Sequence, residues 1–208
     1  MRLTFDEIAG QSVARLAALS DGIFAVAMTL MVLDLRVPAA AAVHNEHEMR
    51  RALLALAPHL EMYLMSFLTL GLFWVGQQTL LNHLARSDRR LSWMHLAFLF
   101  GVTIMPFSTM LLAEHAASRT ALLVYWLNIL LLGAALYASW IYAIRVGLVK
   151  PDMPREVAAV ITRRLVIAQS LYAFGALLCV FGTRWSIAFI VLVQLNGAIA
   201  PRITRFSR

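Results

Sequence analysis

Long runs without charged residues are the feature that most constrains the fold of this chain. No Asp, Glu, Lys or Arg lies between Glu61 and Arg86, or between Arg119 and Arg145. A helix of about 20 apolar residues crosses the roughly 30 Å hydrocarbon core of a bilayer. Three further charge-free runs of similar or slightly shorter length follow Arg90, Arg164 and Arg184. The pattern predicts five transmembrane helices in this part of the chain.

An apolar segment near the N-terminus predicts a sixth span. Leu16–Leu35 is apolar except for Ser20, Asp21, Thr29 and Asp34. A cleaved signal peptide is the alternative, but Asp6 and Glu7 stand where a signal peptide has basic residues. We expect an all-α, polytopic membrane protein with six spans in a single domain, residues 1–208, and a first helix over about 13–36.

Composition excludes most soluble classes. Apolar residues make up 61% of the chain and charged residues 14%, whereas soluble domains have about 45–50% apolar residues. The net charge is +7, but the basic residues are scattered between apolar blocks, a distribution typical of membrane orientation and not of nucleic-acid binding. With the N-terminus inside, 13 Lys and Arg residues lie on inner segments and 5 on outer ones. Both termini are therefore predicted to be cytoplasmic.

Catalytic and metal-binding patterns are missing from the sequence. There is no H-E-x-x-H, G-x-S-x-G or nucleotide-binding loop. His44, His47 and Glu48 would share one face of a helix as metal ligands, but a solvated loop is the favoured interpretation. We predict that the protein is not an enzyme and has no cofactor or resident metal.

The first predicted helix has a distinctive face. Successive residues of a helix are about 100° apart. One side of this helix therefore carries Val26, Thr29, Leu30 and Leu33, and Gly22 lies one turn before them. An ordinary buried face is the alternative. Asp34 closes the helix at its C-terminal end, where a negative charge opposes the helix dipole. Several such acids around a pore mouth would concentrate cations.

The second and third spans carry polar residues near their inner ends, namely Trp74, Gln77, Gln78, His83 and His95. Polar side chains at membrane depth are costly and need partners. We predict that these residues pack beside the first helix; a proton relay between His83 and His95 is the alternative. Pro106 lies inside the third span and predicts a kink there.

A short pattern in the first helix resembles a known family. The segment contains Arg15, Leu19, Ser20 and Asp21, followed by Gly-Ile-Phe-Ala-Val-Ala-Met-Thr-Leu. It resembles the R-x-x-x-F-S-D signature of the endosomal and lysosomal potassium channel family, transmembrane protein 175, in its six-span prokaryotic branch. Trp74 and the Met-Pro-Phe-Ser-Thr segment around Pro106 are also similar to that family. Leu19 replaces the usual Phe, and Gln77-Gln78 stands where many relatives have a His pair.

The resemblance implies a potassium channel. Family members are homotetramers in the bilayer, with the first helix of each subunit lining the pore. It implies that Val26, Leu30 and Leu33 form a hydrophobic gate, that Thr29 sets a modest preference for K⁺ over Na⁺, and that the signature residues hold the helix in place. An untargeted six-span chain fits a bacterial plasma membrane. A proton- or ion-coupled secondary transporter is the main alternative, although no internal repeat supports it.

Overall fold

The computed structural model describes residues 12–36 and 44–199. Seven α-helices run through these residues, and the described part contains no β-strand beyond one isolated bridge. The helices are α1 Val13–Leu30, α2 Glu46–Ala55, α3 Ala57–Asn82, α4 Arg89–Glu114, α5 Arg119–Val146, α6 Arg155–Leu177 and α7 Thr183–Ile199. A 3-10 turn, Met31–Asp34, extends α1, and a second, Leu178–Val180, extends α6. The prediction of an all-helical fold is confirmed.

Five of the helices are long and apolar enough to cross a bilayer. They are α1 with part of its 3-10 turn, α3, α4, α5 and α6, with 21 to 28 residues each. Helix α7 is apolar but has 17 residues, near the lower limit of roughly 17–25 residues for a spanning helix. Helix α2 has no buried residue. The chain is thus a membrane protein with several apolar helices.

Local capping explains where α1, α4 and α5 begin and where α5 ends. The Ser12 hydroxyl accepts a hydrogen bond from an amide of the first turn of α1 at 3.3 Å. Asp88 caps α4 in the same way at 2.7 Å, and Ser118 caps α5 at 3.4 Å. Such caps satisfy amides that have no partner within the helix. Gly147 ends α5 with φ 73°, a left-handed conformation that favours glycine.

Helices α4 and α5 form the centre of the bundle. Gly101 of α4 lies so close to α5 that an added Cβ would be 2.9 Å from Leu132 Cδ2. Phe98, Val102 and Tyr125 are among the fully buried residues of this core. Helices α1 and α3 pack on α4, α6 packs on α5, and α7 contacts both α3 and α6. The core therefore supports α1 from two neighbouring helices, α3 and α4.

Pro106 interrupts the backbone hydrogen bonding of α4, and a side chain of α5 bonds the backbone nearby. The sequence predicts that Thr103 or a neighbouring helix satisfies the freed carbonyl. Thr103 instead donates to a carbonyl of its own helix at 2.8 Å. With its amide nitrogen turned to the Gly101 carbonyl, Asn128 of α5 donates to that carbonyl at 3.0 Å and accepts from the Met105 amide at 3.2 Å. The side chain thus inserts into the hydrogen-bond ladder one turn before the proline.

The prediction of a loop at residues 44–48 is wrong, because α2 begins there. Asn45 accepts from the Glu48 amide at 2.9 Å, and Glu48 Oε2 accepts from the His44 amide at 2.7 Å. This reciprocal arrangement is close to a capping box, which starts a helix. Across residues 12–36 and 44–199, no group of three or more His, Cys, Asp and Glu is arranged to hold a metal.

Candidate functional site

Helix α1 has one buried face. Leu16, Ser20, Phe24 and Ala27 are buried, and their spacing of three or four residues places them along one stripe. The Phe24 ring lies 5.9 Å from the ring of Phe98 in α4, measured between centroids. This stripe fixes the rotation of α1 about its own axis, because it packs against α3 and α4 at once.

Ser20 lies at a polar contact among three helices. Its hydroxyl accepts from Gln77 Nε2 of α3 at 2.9 Å, lies 2.7 Å from His95 Nε2 of α4 and donates to the Leu16 carbonyl at 2.8 Å. All three polar side chains are buried. Since the serine proton is used by the carbonyl, this arrangement requires a hydrogen on His95 Nε2. Unpaired polar groups are costly inside a membrane, so these bonds specify the position of α1.

Asp21 is held by α3 through two hydrogen bonds. Its Oδ1 accepts from the indole nitrogen of Trp74 at 2.8 Å and from Gln78 Nε2 at 2.7 Å. Hydrogen bonds to a carboxylate are stronger than those between neutral groups. Trp74, Gln77 and Gln78 have i, i+3, i+4 spacing and therefore face α1 from a single turn of α3. We call these contacts of Ser20 and Asp21 the anchor of α1.

Some of the residues predicted for this site lie apart from the anchor. His83 Nδ1 lies 2.7 Å from a carbonyl of its own helix. The Leu19 side chain is exposed, and the Arg15 guanidinium makes no ion pair within the part of the chain that the structure describes. Asp34 ends the 3-10 turn, and its side chain lies outside the described residues. The anchor therefore consists of Ser20 and Asp21 with four residues of α3 and α4, without His83.

The opposite face of α1 is exposed. Val26 is 56%, Leu30 48% and Leu33 71% exposed, and Thr29 is exposed between them. Thr29 Oγ1 lies 2.8 and 3.0 Å from two carbonyls of the preceding turn. Its proton is thus used within the helix, and its lone pairs remain available as acceptors. Gly22 extends this face, with nothing within 4 Å of an added Cβ. We call these five residues the bare face.

A second buried polar cluster was not predicted from the sequence. Tyr125 of α5 lies 3.3 Å from Ser66 and 3.0 Å from Thr69, both on α3. Thr109 of α4 donates to Ser66 at 2.7 Å, and Gln194 of α7 donates to Thr69 at 2.5 Å. The sequence predicts interhelical bonding for Gln194 but only local bonding for the two α3 hydroxyls. The i, i+3 spacing of Ser66 and Thr69 is the signal that could have indicated a shared partner.

Comparisons with known proteins find similar chains that are named channels. The family model for the endosomal/lysosomal potassium channel TMEM175 matches residues 15–106, which include α2, α3 and most of α1 and α4. A protein named potassium channel from Streptomyces collinus is 36% identical over 137 residues, 64% of this chain and 65% of the relative. The bovine protein named endosomal/lysosomal proton channel TMEM175 is 34% identical over 109 residues, 49% of this chain and 23% of the relative.

The fold matches a solved structure as well. The crystal structure of a lysosomal potassium-selective channel TMEM175 homolog from Chamaesiphon minutus superposes with a TM-score of 0.79 and 27% sequence identity. The match covers 90% of this chain and 96% of that one.

Together, the apolar helices and these matches define a class, the membrane proteins with several apolar helices whose named relatives are channels and not enzymes. Over residues 15–106, the chain is similar to the TMEM175 potassium channel family. The matched regions span less than two thirds of the length of either the Streptomyces or the bovine relative.

Proposed function

We propose that this chain conducts K⁺ down its gradient across the bacterial plasma membrane, as a homotetramer whose four α1 helices line the pore. One observation carries the proposal. The anchor turns one side of α1 toward α3 and α4 and leaves the bare face without a partner in the described residues. Similarity to proteins named potassium channel supports K⁺ as the permeant ion.

The proposed topology has six spans in one domain, with both termini cytoplasmic. Helix α7 would be the sixth span, since its 17 residues extend about 25 Å at 1.5 Å per residue. The excess of Lys and Arg on inner segments, 13 against 5, supports this orientation. In this arrangement the anchor lies toward the cytoplasm, and Leu33 and Asp34 lie toward the outside.

The proposed gate is hydrophobic. Four copies each of Val26, Leu30 and Leu33 would form apolar rings around the axis, and narrow apolar rings stop conduction by losing their water. Opening then widens the rings until a largely hydrated cation passes. Four Thr29 hydroxyls would offer acceptor lone pairs to that cation, and Asp34 would attract cations at the mouth. Selectivity for K⁺ over Na⁺ is modest in this mechanism, because no cage of carbonyls replaces the hydration shell.

Ion flux from liposomes tests the proposal. The purified protein is reconstituted in K⁺-loaded vesicles, its oligomeric state is measured, and efflux is compared for K⁺ and Na⁺ without any second solute. We expect uncoupled flux with a moderate preference for K⁺. Flux that requires a second solute, or a protein that is monomeric in the membrane, would contradict the proposal.

The gate residue has a matched control. Leu30→Ala widens one apolar ring and is expected to raise the resting leak several-fold. Leu192→Ala removes an equally large side chain that is 64% exposed on α7, and we expect it to leave the leak unchanged. Equal leak from both variants would remove Leu30 from the gate.

Proton transport is the second candidate. It is favoured by His95, which contacts Ser20 inside the anchor, and by the proton channel name of the bovine relative. The same vesicles with a pH-sensitive dye inside distinguish the two functions. Proton flux that exceeds K⁺ flux, or K⁺ flux that depends on a proton gradient, would favour this second candidate.

A further inference from the structure

Backbone hydrogen bonds join the connection between α3 and α4 to the connection between α5 and α6. The residues after α3 run antiparallel to the residues after α5, with a bridge between Leu84 and Val149. The Lys150 amide donates to the His83 carbonyl at 2.9 Å, and a second bond of 2.9 Å joins the Ala85 amide to the Leu148 carbonyl. The two connections therefore present one fixed surface at the ends of α3, α4 and α5.

This surface is strongly basic. Asp88 lies within it, but its Oδ1 caps α4 and its Oδ2 accepts from the Tyr142 hydroxyl at 2.6 Å. The next acids along the chain are Asp152, two residues after Lys150 in the same connection, and Glu156, in the first turn of α6, so the basic residues remain in excess. Four exposed basic residues make no ion pair within the described residues, and these form what we call the basic surface: Arg86, Arg90, Arg145 and Lys150.

An exposed indole indicates the depth of the basic surface in the bilayer. Trp93 is 63% exposed and lies three residues after Arg90, so both side chains share one face of α4. Tryptophan prefers the level of the lipid head groups. The charges thus lie at the ends of three apolar helices, beside an exposed residue of the kind that prefers the membrane interface.

We propose that the basic surface binds the head groups of anionic phospholipids. Each Lys or Arg near an anionic membrane surface strengthens binding roughly fivefold at low salt. Such binding would stabilise the end of α3, whose last turn follows directly on Gln77 and Gln78 of the anchor. The inference requires that the chain is embedded in a membrane, but it does not depend on conduction.

Native mass spectrometry with two lipids tests the inference. The purified full chain is titrated with phosphatidylglycerol and phosphatidylcholine, and the wild type is expected to retain the anionic lipid preferentially. Arg90→Gln with Lys150→Gln should reduce that preference roughly 25-fold at low salt. Arg50→Gln with Arg51→Gln removes the same charge from exposed α2 and should retain the preference.

Two additions keep the result decisive. Arg90→Lys with Lys150→Arg retains both charges and should bind like the wild type, whereas a loss there would show that charge is not what binds. Raised salt should abolish the wild-type preference, which gives the same test without any variant. Equal binding of both lipids by the wild type, or equal losses in the test and control pairs, would overturn the inference. Because this experiment measures no ion flux, failure of the lipid-binding inference is distinct from failure of the proposed channel function.

Discussion

Helices α1 and α6 both leave most of their side chains exposed, yet they differ in how they are attached. Within the described residues, α6 joins its neighbour α5 through one side-chain hydrogen bond, from the Trp140 indole to Thr162 at 3.1 Å. Its exposed face between Val166 and Leu177 is apolar apart from Ser170. Helix α1 is held by the anchor, and its exposed face carries Gly22 and Thr29 among the apolar residues.

The difference teaches that exposure alone does not distinguish a helix that faces lipid from one that faces a pore. An apolar helix face that contacts lipid is equally stable at any rotation of the helix about its axis. The four hydrogen bonds of the anchor to α3 and α4, in contrast, are satisfied at one rotation of α1 only. An anchored helix with a bare face is expected to present that face to a defined partner, and the variants below test this distinction between α1 and α6.

The largest expected effect comes from the buried stripe of α1. Phe24→Ala removes a ring that is 2% exposed and packs on Phe98. It should lower the free energy of unfolding in mixed micelles by roughly 3–4 kcal/mol, because a cavity remains. Phe181→Ala, at a ring that is 83% exposed after α6, should change it by less than about 0.5 kcal/mol. Similar losses in both variants would show that α1 is attached no more firmly than α6.

The anchor itself gives the next effect. Ser20→Val leaves the donors of Gln77 and His95 buried without an acceptor and should lower the free energy of unfolding by roughly 2–3 kcal/mol. Ser170→Val makes the same change at an exposed position of α6 and should have almost no effect. We expect the proposed tetramer to dissociate at lower detergent concentration in Ser20→Val than in the wild type. Unchanged stability would show that the anchor does not position α1.

The smallest effect on stability, and the most specific effect on function, is predicted for Thr29. Thr29→Ala should keep the free energy of unfolding and the current while reducing the preference for K⁺ over Na⁺, measured as a reversal potential under mixed-ion conditions. Thr103→Ala is the control, since its hydroxyl also bonds a carbonyl of its own exposed helix face. A loss of selectivity in both variants would mean that the effect does not come from the pore.

Much of the fold could be predicted from the sequence, because charge-free runs long enough to cross the hydrocarbon core have few alternatives to a spanning helix. The start of α2 is missed because Glu48 is interpreted as a possible metal ligand or a solvated acid rather than as part of a cap with Asn45. At Pro106 the structure supports the neighbouring helix over Thr103, but sequence spacing on α4 contains no information about which residue of α5 approaches it.

The candidate site was predictable where the signals are local. The spacing of Val26, Thr29, Leu30 and Leu33 predicts one shared face, but periodicity alone cannot tell a bare face from a buried one. That distinction depends on which side of α1 meets α3 and α4, which is a property of packing between distant segments. The same limit applies to His83, which lies one turn beyond the residues that reach Asp21.

The most direct test of the account is the access of water to the two exposed faces. The one cysteine of the chain is first removed by Cys179→Ser. In this background, a single cysteine then replaces either Leu33 after α1 or Leu177 of α6. The two positions are 71% and 67% exposed in the single chain. A charged, membrane-impermeant thiol reagent should modify Leu33→Cys and block K⁺ efflux, and it should leave Leu177→Cys unmodified. Equal modification of the two, or modification of Leu177→Cys alone, would contradict the assignment of the bare face of α1 to the pore.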